Sequence, residues 1–418
     1  MRVLIVSHEW EAISPGGAQR SASALARGLA QQPGIEVTLA SAIRNVPPTE
    51  RAHPWRNAHG FDEVLVRSET DLGFYSWQDP TFANDWQRVL TQVQPDVVHL
   101  HHYFHVGVEL PLLVRHTLPG VPVVMTLHEF LAICLQSGQM LDSLGQLCSQ
   151  SSPAACANCV DWPIARTATR EDYVRRAFES VDLFVTPSRF VRDRYVDWGL
   201  DIGRVRVIAN ALDLERRVTR RTRALPANGL RLAFIGQHTP YKGLDVLMDA
   251  VLQLHESGRE VVERLEVYGD GSDRFGREFE TRISELRARE VGVTSFRGRY
   301  TQEDLPGILD GVDAIVVPSI WWENSPVVIE EALARRVPVI CSDIGGMAEK
   351  VRDGIDGWHF EVGSPVSLAA LLTDLSARTS LGLPLMRVPL ETADVVQQHL
   401  DAYGEAARRR ERTVDSDR

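Results

Sequence analysis

Short apolar runs rich in β-branched residues alternate along the chain with longer stretches in which apolar residues recur every three or four positions. In the first half the runs are RVLIV at 2–6, IEVTLA at 35–40, DVVHLH at 96–101, VPVVMTL at 121–127 and DLFVT at 182–186. Near-continuous apolar runs of this length mark strands covered on both faces, as in parallel sheets flanked by helices. The pattern restarts with RLAFIG at 231–236, RLEVYG at 264–269, VTSFRG at 293–298, DAIVVP at 313–318 and VPVICS at 337–342. Two successive α/β domains are predicted. The expected division is 1–212, with a cysteine-bearing insertion at 130–162, then a connector at 213–229, a second domain at 230–385, a helix at 386–408 and a charged tail at 409–418. Within the connector, five arginines fall among residues 216–223, before Pro226 and Gly229. They read as a solvated connector or as a weak peripheral contact with an anionic membrane. No repeat of 20–50 residues supports a solenoid.

Composition narrows the function classes. The chain has 418 residues, 44% hydrophobic and 24% charged, with 45 Lys and Arg against 56 Asp and Glu, a net charge of −11. That length exceeds a single small module, and an acidic surplus without a lysine-rich arm argues against nucleic acid as a partner. The opening MRVLIVSHEW has an apolar stretch only as long as a strand, so no secretion signal is expected, and no apolar run approaches the ~18–20 residues of a membrane span. A cytoplasmic location follows as the expectation. In that compartment the five cysteines are read as thiols or metal ligands before disulfides.

Several segments carry candidate chemistry. Gly16 and Gly17 precede a helix in which Ala18, Ala22, Leu25 and Leu29 recur at helical spacing. The pair is either a structural turn or a close backbone approach to an anion at a helix N-terminus. It is neither the three-glycine dinucleotide fingerprint nor a P-loop, which lowers the case for enzymes of those types. Lys242 lies in the loop after RLAFIG, where open sheets bind ligands, and is either solvated or a phosphate contact. In VPSIWWENSPVVIEEALARRVPVICSDIGG, 317–346, Ser325 is expected to cap a helix with Pro326 in its first position. Glu323 lies before that helix and Glu331 about a turn and a half inside it. Two carboxylates flanking a helix N-terminus could hold hydroxyls on either side of a phosphate, as in a nucleotide sugar. Glu330 reads as ordinary surface. Cys134, Cys148, Cys156 and Cys159 share one segment, the last two as Cys-x-x-Cys. A structural zinc site, packed thiols and a disulfide all remain open for them. Trp55, Trp77, Trp86 and Trp162 are read as packing residues or as platforms for a sugar or lipid acceptor.

The Glu323 to Glu331 arrangement, followed by Glu-Ala-Leu-Ala and a Val-Pro-Val-Ile strand, resembles the donor-site signature of the retaining glycosyltransferases of family 4. The resemblance extends through Gly16-Gly17, VVHLHH, TLHE at 126–129, VTPSRF at 185–190, Lys242-Gly243, VYGDG at 267–271 and Gly345-Gly346 with Glu349. It implies the GT-B fold: two Rossmann-like α/β/α domains facing a central cleft, with a C-terminal helix, where Val395, Leu400 and Tyr403 share a face, packing back on the N-terminal domain. It further implies that Glu331 accepts hydrogen bonds from the donor ribose and that Glu323 contacts the transferred sugar. Lys242 and N–H groups around Asn324, Ser325, Val327 and Val328 would neutralise the leaving diphosphate, with Gly16-Gly17 opposite. His128 would touch the donor sugar, although its position alone equally suits a histidine satisfied at a strand end.

Departures accompany the likeness. Gln237 stands where many relatives have an Arg that contacts phosphate, and Asn324-Ser325-Pro326 replaces Gly-Phe-Gly, with Pro326 lacking an N–H. Ala209-Asn210-Ala211-Leu212-Asp213 replaces Pro-Asn-Gly-Val-Asp. The only Asp-x-Asp, Asp415 to Asp417, lies in the tail, and Lys242 with helix N–H groups could stabilise the leaving group. Transfer of a hexose without a catalytic metal is therefore expected, with retention implied by the resemblance, from a nucleotide-diphosphate sugar to a glycan, lipid-linked or natural-product acceptor, as in polysaccharide biosynthesis. An epimerase of the same fold and a catalytically silent nucleotide-sugar-binding protein are the alternatives.

Overall fold

Each of the ten apolar runs forms a strand paired in parallel with its neighbours. The computed structural model describes residues 1–13, 16–43, 54–68, 70–71, 73–74, 76–77, 80–214, 225–226, 228–271, 276–289, 292–381, 383 and 385–416. The arginine-rich stretch 216–223, Ser14, Pro15 and Asp417 lie outside the described residues. Two units form, Met1–Asp213 with Leu390–Arg418, and Leu214–Pro389.

The first unit contains β1 (Arg2–Ser7), α1 (Gly17–Ala30), β2 (Glu36–Ile43), β3 (Trp55–Arg56), β4 (Asp62–Arg67), β5 (Thr70–Asp71), β6 (Ser76–Trp77), α2 (Pro80–Val93), β7 (Val97–His101), α3 (Leu110–Thr117), β8 (Val123–Thr126), α4 (Pro153–Val160), α5 (Ile164–Glu179), β9 (Leu183–Thr186), α6 (Arg189–Asp197) and β10 (Val205–Val207). Its main sheet runs β10-β9-β8-β7-β1-β2-β4-β3. The second unit contains β11 (Leu230–Ile235), α7 (Leu244–Glu256), β12 (Val262–Tyr268), α8 (Gly276–Arg289), β13 (Thr294–Gly298), α9 (Leu305–Gly311), β14 (Ala314–Val317), α10 (Val327–Ala334), β15 (Val339–Ser342), α11 (Gly345–Lys350), β16 (Gly357–Phe360) and α12 (Pro365–Ser376). Its sheet runs β13-β12-β11-β14-β15-β16. Strand order therefore reverses between β1 and β7 in one sheet and between β11 and β14 in the other.

The chain ends in α13 (Thr392–Ser416), which returns to the first unit. Val395, Val396 and Tyr403 join the core formed by Val3, Ile5, Leu25 and Leu29. Arg206 grips the Glu405 carboxylate through Nε at 2.9 Å and a terminal nitrogen at 2.6 Å. The hydroxyl of Tyr403 meets His99 Nδ1 at 2.8 Å. In the second unit the core joins Leu232, Phe234, Leu247, Val267, Val316 and Ile340. Buried Arg231 forks onto Asp313, tying the start of β11 to that of β14. No helix among the described residues is long and apolar enough to cross a membrane.

Candidate functional site

Open α/β sheets bind ligands beyond the carboxyl ends of their strands, where the strand order reverses. In the second unit those ends belong to β11 and β14. The loop after β11 carries Lys242 and the loop after β14 carries Glu323, and the two meet with Lys242 Nζ donating to Glu323 Oε1 at 2.6 Å. Ser319 Oγ at 2.8 Å and Trp321 Nε1 at 2.9 Å donate to the same oxygen. Burial alone would raise the Glu323 carboxyl, but the Lys242 ammonium and these hydrogen bonds hold it below its ordinary value. Glu323 is thus a carboxylate at neutral pH.

Backbone contacts fix both loops. Gly243 has φ 66°, and a Cβ there would stand 2.0 Å from the Pro318 carbonyl oxygen, so only glycine brings the Lys242 loop this close. Alongside it the Ile320 N–H donates to the Tyr241 carbonyl at 2.9 Å. The Gly346 N–H donates to the Glu323 carbonyl at 2.6 Å, and a Cβ at Gly346 would lie 2.1 Å from Asn324 O.

Two local expectations need correction. The helix α10 starts at Val327, so Pro326 rather than Ser325 occupies the N-cap position, and no side chain caps the helix. The reason is Pro326 itself, whose ψ of 120° is extended rather than helical. The N–H groups of Val327 and Val328, in a first turn that has no intrahelical acceptors, are left to serve an anion. Glu330 is not a surface residue either: it is 7% exposed and accepts two 2.9 Å bonds from the Arg387 guanidinium, with Lys350 Nζ at 3.5 Å. Because α10 is buried on every side from Ile329 to Ala334, it has no solvent face for a carboxylate. Burial would raise the Glu330 carboxyl, and Arg387 and Lys350 hold it below its ordinary value.

Glu331, 3% exposed, accepts a 3.0 Å bond from Gln302 Nε2. Gln237 is exposed, and its carbonyl accepts the Thr239 N–H at 3.0 Å. A cation is tied to the same loop cluster: the Asp270 carbonyl accepts the His238 N–H at 2.8 Å, and the Asp270 carboxylate pairs with Arg299.

In the first unit the reversal lies between β1 and β7, and imidazoles collect there. His8 follows β1, His101 ends β7, and His128 lies two residues beyond β8. His101 Nδ1 and His128 Nε2 are 3.0 Å apart. Gln19, in the first turn of α1, reaches His8 Nε2 at 3.0 Å. Gly16 is the extended N-cap of that helix and Gly17 its first residue. His99 bonds Tyr403 and, at 2.7 Å, Thr126 Oγ1, while His102 Nε2 faces Glu129 Oε1 at 3.3 Å. Burial and neighbouring imidazoles push His128 down to about 3 and His99, His101 and His102 well below the ordinary value. Burial pushes the Glu129 carboxyl up to about 7. At neutral pH this is a set of uncharged hydrogen-bonding rings beside one carboxyl poised to gain or lose a proton.

Single-residue reading of the sequence singled out His128 but not His8, Gln19, His101, His102 or Glu129. A signal was present in HLHHYFH at 99–105, because strand alternation puts His99 and His101 on one face. Among the tryptophans, Trp86 is fully buried against Phe82, and Trp77 Nε1 donates to the Val106 carbonyl at 2.8 Å. Trp162 stacks on Phe74 and carries the Arg166 guanidinium 3.8 Å over its ring, and Trp55 is 37% exposed beside Trp10. Cys134, Cys148, Cys156 and Cys159 surround one small cavity, none joined in a disulfide. Burial pushes the Cys134 thiol up to about 11.

Comparison with known proteins gives this arrangement its family. Residues 15–216 match the family model described as Glycosyltransferase Family 4, and residues 229–378 match the one described as Glycosyl transferases group 1. A D-inositol 3-phosphate glycosyltransferase of Salinispora arenicola is 28% identical over 335 residues, covering 74% of this chain and 69% of that protein. Its namesake in Salinispora tropica is 29% identical over 74% of this chain, a match that spans less than two thirds of that relative's length, 64%. Among solved structures, HepE of Anabaena in complex with UDP and glucose matches with a TM-score of 0.69 at 16% identity, over 97% of this chain and 99% of that one. Sucrose-phosphate synthase of Thermosynechococcus elongatus matches over the whole of both chains, with a TM-score of 0.68 at 16% identity. These structural matches establish the fold, which is GT-B. With two family models accounting for both halves of the sequence, the chain belongs to the family 4, group 1 glycosyltransferases.

Proposed function

We propose that this chain moves a hexose from a nucleotide-diphosphate sugar to an acceptor hydroxyl, with retention at the anomeric carbon and without a catalytic metal ion. The observation that carries the reading is the second unit's constellation: Lys242 on buried Glu323, the uncapped start of α10, and Glu331 buried inside that helix. HepE, which shares the fold, is bound to UDP and glucose, in keeping with a nucleotide-sugar donor here.

Breaking the bond between sugar and phosphate builds negative charge on the leaving diphosphate, and fixed cations and N–H groups aimed at that charge lower the barrier. Lys242 turns from Glu323 to the diphosphate, freeing Glu323 to accept hydrogen bonds from the sugar hydroxyls. The N–H groups of Val327 and Val328, with the side chains of Asn324 and Ser325, complete the phosphate contacts, and Glu331 takes the ribose hydroxyls. Arg299 supplies the charge that Gln237 does not. In the first unit, the start of α1 at Gly16-Gly17 offers N–H groups suited to a phosphate, and neutral His128 offers a sugar hydroxyl a hydrogen bond without adding positive charge beside a developing oxocarbenium. A leaving phosphate oxygen takes the proton of the attacking hydroxyl on the same face. The acceptor is a glycan, a lipid-linked sugar or a natural product.

The test incubates the full chain with UDP-, GDP-, ADP- and TDP-hexoses and a panel of such acceptors. The proposal expects nucleotide release that depends on acceptor, survives EDTA, and gives a product with the donor's anomeric configuration by NMR. Sugar isomerisation without acceptor would identify an epimerase, and donor binding without release a silent protein. An inverted anomer would overturn retention, and loss of turnover in EDTA would overturn metal independence.

A further inference from the structure

The four clustered cysteines have no part in that reaction, yet the segment that carries them is built around a cavity. Residues 130–162 follow His128 with little regular structure: a turn at 130–134, a loop bridged by Leu141 and Leu147, and the helix α4. Cys134 closes the turn, its N–H donating to the Phe130 carbonyl at 2.7 Å. Cys148 closes the loop, its N–H donating to the Met140 carbonyl at 2.8 Å. Cys156 and Cys159 are three apart on α4 and so share a face. All four side chains line one cavity of about 70 Å³, with Met140 and Leu141 in its wall. Two sulfurs already accept hydrogen bonds: the Met140 N–H donates to Cys134 Sγ and Gln136 Nε2 to Cys159 Sγ, each at 3.3 Å.

We propose that this cavity is a structural zinc site in which Cys134, Cys148, Cys156 and Cys159 hold the ion and pin the segment beside the strand end bearing His128. The donor chemistry selects the metal. Asp142 Oδ1, in the wall, accepts the N–H groups of Leu144 and Gln146 at 2.9 Å each, and four sulfurs outnumber that one carboxylate around the cavity. Four thiolates suit zinc in tetrahedral coordination and not magnesium or calcium. Among the described residues no three donors stand close enough to hold an ion as placed. The ion itself therefore draws the thiols together by side-chain rotation within the cavity, and the four thiol protons leave to solvent as four Zn–S bonds form. The stretch between the buried Phe130–Cys134 turn and α4 has little regular structure of its own, so a metal would staple it.

Metal analysis of the full chain, purified without added metal and dialysed, tests this. One zinc per chain is expected, with the four thiols shielded from a thiol reagent until a chelator is added, whereupon all four react. The Cys156→Ser variant is expected to lose the zinc, and Cys341→Ser, altered in β15, to keep it. Should Cys156→Ser fail to fold, the metal content and chelator-dependent thiol count of the native chain decide. A metal-free native chain overturns the proposal, whether its four thiols titrate at once or two are missing as a disulfide. So does iron in place of zinc.

Discussion

The two units use one layout, a parallel sheet with its strand order reversing near the middle, but they handle charge at that point in opposite ways. At the ends of β1, β7 and β8 the first unit keeps His8, His101, His102 and His128 uncharged by burying them. At the ends of β11 and β14 the second unit keeps its groups charged by pairing them, Lys242 with Glu323 and Glu330 with Arg387. The difference suits the two tasks of the proposed transfer. Holding hydroxyls near a cationic transition state calls for neutral donors and acceptors, whereas stabilising a departing diphosphate calls for fixed charge. One fold can thus present two electrostatic environments, depending on whether burial or pairing governs its loops.

The sharpest break in the comparison should come from removing the second unit's cation. Lys242→Ala is expected to cut kcat by about 10²- to 10³-fold, the order seen when a group stabilising transition-state charge is lost, while circular dichroism stays unchanged. A loss under tenfold would move the leaving-group role elsewhere. Next in size, Glu330→Ala leaves Arg387 and Lys350 without their partner and should cost about 3 kcal/mol of stability, read by denaturant unfolding. If Glu330 were the surface residue its sequence context suggests, the cost would be within about 0.5 kcal/mol.

A pH titration sharpens the contrast. Six imidazoles described in the first unit, His8, His99, His101, His102, His128 and His399, have values lowered in the fold from an ordinary 6.5. The folded form then binds fewer protons than the unfolded form below 6.5, so the stability these groups contribute is present above 6.5 and lost as pH falls. For His399, held at about 4, the loss by pH 5.5 is about 1 kcal/mol. Glu129 and Glu109 have raised values, gain on acidification and offset part of this. Glu323 and Glu330 have values lowered from 4.5, so their contribution persists down to that pH and is lost only below it. Hydrogen exchange between pH 6.5 and 4.5 should therefore show protection falling in β1, β7 and β8 before it falls in β11 and β14. The reverse order would contradict the comparison. The smallest effect is expected from Gly346→Ala, where the added Cβ meets the Asn324 carbonyl. It should cost about 1–3 kcal/mol, typical of a small-to-large change in a packed site, and weaken donor binding with it.

Legibility followed the physics of each feature. Most of the ten parallel strands were visible because covering both faces demands continuous apolar runs, as at 2–6 and 313–318; β13, the edge strand, has no buried residue. The strand β4, DEVLVR, was not visible, because it alternates near the sheet edge; β10 is only three residues long, and β16, GWHF, breaks its apolar run with a Gly and a His. A packed terminal helix was readable from Val395 and Tyr403, both buried, while its return to the first unit was implied only by the family resemblance. Of the candidate site, the residues singled out beside strand ends do assemble, Lys242 on Glu323 and His128 on His101. Their supports were hidden, since a link such as Gln302 to Glu331 or Arg387 to Glu330 spans 29 and 57 residues and leaves no local pattern. The start of α10 was misplaced by one residue because Pro326 suits either the cap or the first helical position from sequence alone.

The central claim is that the second unit's charged constellation binds a nucleoside diphosphate through Glu331. Thermal unfolding of the full chain and of Glu331→Ala with UDP, GDP, ADP and TDP tests it most directly. At 100 times its dissociation constant, one nucleotide should stabilise the native chain by about 2.7 kcal/mol, and that stabilisation should vanish in a variant that is otherwise folded. Equal stabilisation of native chain and variant by the same nucleotide, or none of either by any of the four, would contradict the account.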